Sequence, residues 1–237
     1  MSVFRFKEFV IDQENCPMKI NTDGVLLGAM ADVLKVKEIL DIGTGTGVIA
    51  LMLAQRNLAA KIDALDIDFK AFDKAELNFK NSIFHERLMA FHIGFKQYFE
   101  LNLLKKYDLI VSNPPFFLHS LQSPKEEKNI SRHTNEQFFL ELLRVAQYHL
   151  VESGTLEIIV PVDVSLMLQN LAPDFKLHVK RCIKIRSYED KATIRHIISL
   201  SKQELPEVCF HDFCIYEGQG VHSLAYKTVL KDFFTIF

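Results

Sequence analysis

The sequence predicts an α/β fold: a doubly wound, mostly parallel seven-stranded sheet that ends in an antiparallel hairpin. Three observations carry this expectation. Short apolar runs of strand length alternate with amphipathic segments of helical spacing along the first two thirds of the chain. The runs are near-continuous in Ile, Leu and Val, as strands buried on both faces require. Past Val160 the pattern changes to a period of two across a short polar turn, which is the mark of a hairpin.

The elements follow in order. Ahead of the first run lies Met18-Lys19-Ile20-Asn21-Thr22-Asp23-Gly24-Val25-Leu26-Leu27-Gly28-Ala29, where Thr22 or Asp23 is expected to cap a short helix running to about Leu34. Strands are expected at Glu38–Ile42, Lys61–Asp66, Leu88–Ile93, Tyr107–Ser112 and Thr155–Val160. Between them, Val48–Asn57 follows a glycine turn, Phe69–Phe84 carries Phe72, Ala75 and Phe79 at helical spacing, and Glu136–Val151 carries Phe139, Leu142, Leu143, Ala146 and Leu150. Strand–helix–strand alternation calls for helices on both faces of a parallel sheet. Ser123–Asn135 reads as a polar loop. Leu177–Arg186 and Thr193–Leu200 form the hairpin arms around Ser187–Ala192, and Ser223–Phe237 reads as a last amphipathic helix.

A chain of 237 residues suits one domain: a segment over residues 1–37 that caps a core over residues 38–237. Hydrophobic residues make up 49% and charged residues 24%, which excludes a disordered or fibrous chain. No run approaches the roughly eighteen apolar residues of a membrane span. The first ten residues mix Arg, Lys and Glu, unlike a secretory signal. Cys16, Cys182, Cys209 and Cys214 form no C-x-x-C pair and read as reduced thiols, so a cytoplasmic protein is expected. A net charge of −2 means that any nucleic acid must be held by a local patch.

Asp41-Ile42-Gly43-Thr44-Gly45-Thr46-Gly47 leaves a strand and opens a helix. Glycine lets the chain turn sharply and lets a ligand approach main-chain atoms. Asp66 ends the next strand, where a carboxylate can accept both hydroxyl hydrogens of a ribose. The dinucleotide fingerprint fails because its third glycine falls on Val48. The G-x-G-x-G spacing behind an acid is that of S-adenosylmethionine sites, set against a tight turn that binds nothing.

Asn113-Pro114-Pro115-Phe116 follows the Tyr107–Ser112 strand, at the carboxyl edge where open α/β sheets bind ligands. Two prolines fix φ and remove two N–H donors, so the Pro114 carbonyl is free to accept. Asn113 offers a second oxygen and Phe116 a stacking face. Two acceptors on the hydrogens of a conjugated amine favour a pyramidal nitrogen with its lone pair aimed at an electrophile, here the sulfonium methyl of S-adenosylmethionine.

Asp41–Gly47, Asp66 and Asn113–Phe116, in that order, resemble class I S-adenosylmethionine-dependent methyltransferases acting on exocyclic or amide nitrogen, whose sheet is Rossmann-like. The Met18–Ala29 motif is similar to that of bacterial tRNA(Val) adenine-37 N6-methyltransferases. The resemblance extends to Arg132-His133 and to Tyr226, Phe233, Phe234 and Phe237. It implies Asp41, Gly43, Thr44, Gly45 and Gly47 along the methionine part of the cofactor, Asp66 on its ribose and Ile67 against its adenine. Lys19, Thr22 and Asp23 would lie near the cofactor or close over the site; Asn113, Pro114, Pro115 and Phe116 would hold the target adenine. An acid that relatives often place after the third strand is missing at Phe91-His92-Ile93-Gly94-Phe95, so that either a backbone contact near Gly94 substitutes or cofactor affinity is lower.

Arg132 and His133 are candidates for gating the substrate or binding the RNA, set against solvated loop residues. The basic run containing Lys180, Lys184 and Arg186 is the candidate RNA-backbone contact, set against a solvated strand face. Cys209, His211 and Cys214 supply too few ligands, on two strand faces, for zinc, so no metal site is expected. The implied function is N6-methylation of adenine 37 in tRNA(Val), with a monomeric enzyme and neither DNA nor membrane as partner. Protein glutamine N5-methylation, ribosomal RNA guanine-N2 methylation and a non-catalytic cofactor-binding module are the alternatives.

Overall fold

The computed structural model describes residues 3–115 and 125–237, and the side chains of all of these except 125–135. Twelve strands and seven α-helices occur among the described residues. A hairpin of β1 (Val3–Arg5) and β2 (Val10–Asp12) leads into α1 (Thr22–Met30). The alternating core follows: β3 (Glu38–Ile42), α2 (Val48–Arg56), β4 (Lys61–Asp66), α3 (Phe69–Lys80), β5 (Leu88–His92), α4 (Phe95–Leu101), β6 (Tyr107–Ser112), α5 (Lys125–His149), β7 (Leu150–Pro161) and α6 (Val162–Leu171). The chain closes with β8 (His178–Arg186), β9 (Arg195–Ser201), β10 (Cys209–Cys214), the short pair β11 (Tyr216–Gly218) and β12 (Val221–His222), and α7 (Leu224–Leu230).

The large sheet runs β10-β8-β9-β7-β6-β3-β4-β5. All seven expected strands are in it, with β10 added alongside β8 at the edge. Only β9 is antiparallel to its neighbours in this sheet. Successive residues of a strand feed opposite cores, as a sheet covered on both sides demands. Ile39, Leu109 and Ile159 pack under α1 and α2, whereas Leu40, Ile110 and Ile158 pack under α5 and α6.

Several boundaries differ from expectation, each for a local reason. The cap of α1 is Asn21, whose side chain accepts from the Gly24 N–H, and the helix stops at Met30 rather than Leu34. Arg56 explains the early stop, because its guanidinium takes the Gly28 and Ala31 carbonyls at 3.0 and 2.7 Å. Residues 125–135 are helical rather than loop, extending α5. The segment is polar but contains no Gly or Pro, so helix propensity prevails where apolar periodicity is silent. That helix ends at His149, and Leu150 already pairs with Tyr107 in the sheet. The last helix is a short one capped by the Ser223 hydroxyl, and the tail beyond it pairs back, Phe6 with Phe234.

Candidate active site

The site is built by register. Ile42 and Ser112 are partners on β3 and β6, so the glycine turn and Asn113 leave the sheet side by side. The Ser112 hydroxyl donates to the Ile42 carbonyl at 2.8 Å and fastens the two exits together. On the other flank Ile42 pairs with Leu65, which brings Asp66 beside the turn.

The turn is held by its own backbone. Gly43 and Thr44 N–H groups both reach the Leu65 carbonyl, at 2.9 and 3.0 Å, and the Gly47 N–H reaches the Thr44 carbonyl at 2.9 Å. Gly43, Gly45 and Gly47 all have positive φ, at 74°, 58° and 81°. An L side chain is strained in that region, so the left-handed path selects glycine. A Cβ at Gly43 or Gly45 would meet nothing within 4 Å, whereas one at Gly47 would lie 2.5 Å from Phe79. The first two glycines therefore border open space and the third lies against the core.

Two carboxylates face this turn. Asp41 is fully buried, and burial pushes its carboxyl up to about 7 against the lowering effect of the Thr44 hydroxyl bond. Thr44 Oγ1 donates to Asp41 Oδ2 at 2.7 Å, while Oδ1 has no partner among the described residues. Asp66 accepts from the Gly45 and Asp68 N–H groups at 2.9 Å each. Burial raises its pKa, and those backbone bonds hold it back. Two carboxylates flanking a turn whose first two glycines border open space fit a polar, positively charged cofactor. Ile67 is 79% exposed, an apolar surface beyond Asp66, and a Cβ at Gly94 would touch its Cδ1 at 3.7 Å.

The N-terminal segment approaches from the other side. Asn113 Nδ2 donates to Asn21 Oδ1 at 3.3 Å, so the capping residue of α1 touches the amine-acceptor motif directly. Asp23 is ion-paired with Arg195 at 2.8 Å, which ties the first turn of α1 to β9. Thr22 and Asn21 line a cavity of about 730 Å³ together with Arg5, Ile20, Val25 and Tyr226. Lys19 is exposed just ahead of the helix. Pro114 is buried and Pro115 exposed, whereas Phe116 and the side chains of Arg132 and His133 lie outside the described residues.

The basic strand residues each have a partner. Lys180 lies 3.6 Å from Asp32, Arg186 lies 2.7 Å from Asp212, and Lys184 sits 5.0 Å over the Phe210 ring. Arg186 stands at the carboxyl end of β8, the edge that also carries Asn113. Asn21 escaped the sequence reading, although Asn outranks Thr as a helix cap; Arg195 belongs to the basic run, but its pairing with Asp23, remote in sequence, needed the fold.

A family model, the methyltransferase small domain, matches residues 21–168. A Pedobacter heparinus protein named tRNA1(Val) (adenine(37)-N6)-methyltransferase is 44% identical over 100% of this chain and 99% of its own length. A protein of the same name from Trichodesmium erythraeum is 38% identical over 98% of this chain and 97% of its own. Among solved structures, a predicted O-methyltransferase from Agrobacterium tumefaciens superposes with a TM-score of 0.68 at 16% identity, covering 89% of this chain and 96% of that one. A methyltransferase from Pyrococcus furiosus gives 0.57 at 21% identity, covering 82% and 90%. At those identities the structures speak to the fold, that of class I methyltransferases.

Proposed function

This chain belongs to the methyltransferase small-domain family and, among its members, to the tRNA1(Val) (adenine(37)-N6)-methyltransferases, and from that premise we propose that it methylates N6 of adenine 37 in tRNA1(Val). The observation that carries the reading is the register of β3 and β6, which sets Asn113 beside a glycine turn flanked by Asp41 and Asp66. S-adenosylmethionine, when bound, would supply an electrophilic methyl group from a sulfonium sulfur that becomes a neutral thioether on transfer. The turn backbone at Gly43 and Gly45 would hold its methionine part, Asp66 its ribose, and Ile67 and Gly94 its adenine. Thr22 and Asp23 would close the site from α1, with Lys19 at its rim.

The acceptor side falls to the amine motif. The Asn113 Oδ1 and the Pro114 carbonyl accept the two hydrogens of the adenine amine, which draws its lone pair out of the ring system. Phe116 stacks on the base and fixes its plane, and Pro115 stiffens the loop that carries both. No strong base is needed before attack, because the amine loses its proton only as positive charge passes to the nitrogen. An anticodon-loop base is already unpaired, so presenting it costs only unstacking, a few kcal/mol. Arg132, His133, Lys180, Lys184 and Arg186 are the candidates for holding the RNA. The enzyme is read as a monomer working in the cytoplasm, where tRNA is modified. No described helix is long and apolar enough to cross a membrane.

The test is single-turnover methylation of an unmodified tRNA1(Val) transcript. Asn113→Ala should lower the rate far more than RNA affinity, since its interaction strengthens toward the transition state. Phe116→Ala should lose about 1–3 kcal/mol of base engagement while Phe116→Tyr keeps it. An Asn113→Ala enzyme working at nearly the parental rate would refute the mechanism.

A further inference from the structure

We infer that Asn21 sets the orientation of the Asn113 amide, and through it the polarity of the amine acceptor; the inference rests on the reading of Asn113 given above. A carboxamide has two ends of nearly equal shape and opposite hydrogen-bonding sense. With Oδ1 toward the substrate, Asn113 accepts a hydrogen from the target amine. With Nδ2 there, donor meets donor and the motif cannot work.

The structure contains a chain of polarity that selects the first state. It starts at the Gly24 N–H, a backbone group that can only donate. Its acceptor at 2.8 Å in the side chain of Asn21 must therefore be the oxygen. That same Oδ1 lies 3.3 Å from the Asn113 amide, so the Asn113 atom facing it must be the nitrogen. The Asn113 oxygen is left turned the other way. Backbone geometry anchors the relay: Asn21 is the cap of α1, with an extended conformation at φ −132° and ψ 167°. Gly24 stands under the junction, since a Cβ there would touch both Asn113 Nδ2 and Asn21 Oδ1, at 3.4 and 3.5 Å. Asn21 is thus a positioning residue, acting on the substrate only through Asn113.

The experiment separates this role from helix capping. Asn21→Ser still caps a helix but is too short to reach Asn113, whereas Asn21→Asp keeps both the cap and an acceptor at the right length. Both variants should melt close to the parent. Asn21→Ser should lower single-turnover methylation of the tRNA1(Val) transcript by roughly three- to tenfold, the rate equivalent of one neutral hydrogen bond. Cofactor affinity should be unchanged, and Asn21→Asp should restore most of the rate. Asn113→Asp provides the cross-check, because two equivalent oxygens need no orienting: in that background the added Asn21→Ser change should have almost no effect. A parental rate for Asn21→Ser, or the same fold-loss in both backgrounds, overturns the positioning role. An Asn113→Ala enzyme at nearly the parental rate, or an inert Asn113→Asp enzyme, overturns the acceptor reading on which it rests.

Discussion

The three turn glycines offer a graded test, because their surroundings differ while their backbone does not. Replacing each with Ala imposes left-handed strain of about 1–2 kcal/mol. At Gly43 and Gly45 nothing else changes in the unliganded protein, since a Cβ there meets no atom within 4 Å. For a domain of this length about 1 kcal/mol shifts the melting temperature by roughly 2–4 °C, so Gly43→Ala and Gly45→Ala should each lose roughly 2–8 °C. At Gly47 the new methyl would stand 2.5 Å from Phe79, a core ring that is 3% exposed. Overpacking adds about 1–3 kcal/mol, for a total near 2–5 kcal/mol and roughly 4–20 °C. Cofactor affinity should split differently. Methyl groups at 43 and 45 enter the open space assigned to the cofactor, and each should weaken S-adenosylmethionine binding at least about tenfold, or 1.4 kcal/mol. Thermal melts and titration calorimetry on the three variants measure both quantities, and Phe79→Leu should recover part of the Gly47→Ala loss. The reasoning fails if Gly45→Ala binds cofactor like the parent, or if Gly47→Ala melts no lower than the other two.

Asp66→Ala should weaken cofactor binding by about 1.5–3 kcal/mol, the range for a hydrogen bond to a charged group, as calorimetry would show. The Asp41 carboxyl is held up to about 7 in the fold against an ordinary 3.8, so the folded chain keeps that proton more tightly and its ionisation opposes folding above pH 7. That opposition is relieved as pH falls from about 7 toward 4, so Asp41→Asn should raise the melting temperature more at pH 8 than at pH 5; an equal change at both pH values would contradict the assignment. Arg181 neutralises Glu157, 1% exposed, at 2.8 Å, so Arg181→Met should destabilise by about 3–5 kcal/mol and an added Glu157→Leu change should recover much of the loss in chemical denaturation. Replacing Lys180, Lys184 and Arg186 with Ala should weaken tRNA binding and make its salt dependence shallower by roughly 0.7–0.9 per lost phosphate contact, with cofactor affinity unchanged.

Buried strands were the most legible part of the chain, because Glu38–Ile42 or Tyr107–Ser112 can bury both faces only inside a parallel sheet. Sheet order then put Asp41, Asp66 and Asn113 at one edge without further information. Elements whose stability is tertiary were not legible. Residues 125–135 carry no apolar periodicity to announce the helix that their propensity and their continuity with Glu136–His149 sustain. The strand Cys209–Cys214 shows just one buried residue, Phe213, and exists because β8 offers it an edge. Arg56, reading as an ordinary helix-end cation, stops α1 by taking its carbonyls. Within the site, the residue types carried the chemistry, but the contact of Asn21 with Asn113 joins positions 92 residues apart and needed the fold to bring them together.

The measurement that bears most directly on the whole account is nucleoside mass spectrometry of tRNA1(Val) transcripts incubated with the protein and S-adenosylmethionine. The account predicts N6-methyladenosine approaching one per molecule in the wild-type transcript and none when adenine 37 is replaced by guanine. Methylation that survives the replacement, or a methyl group found on a guanine, or none on either transcript, would contradict it.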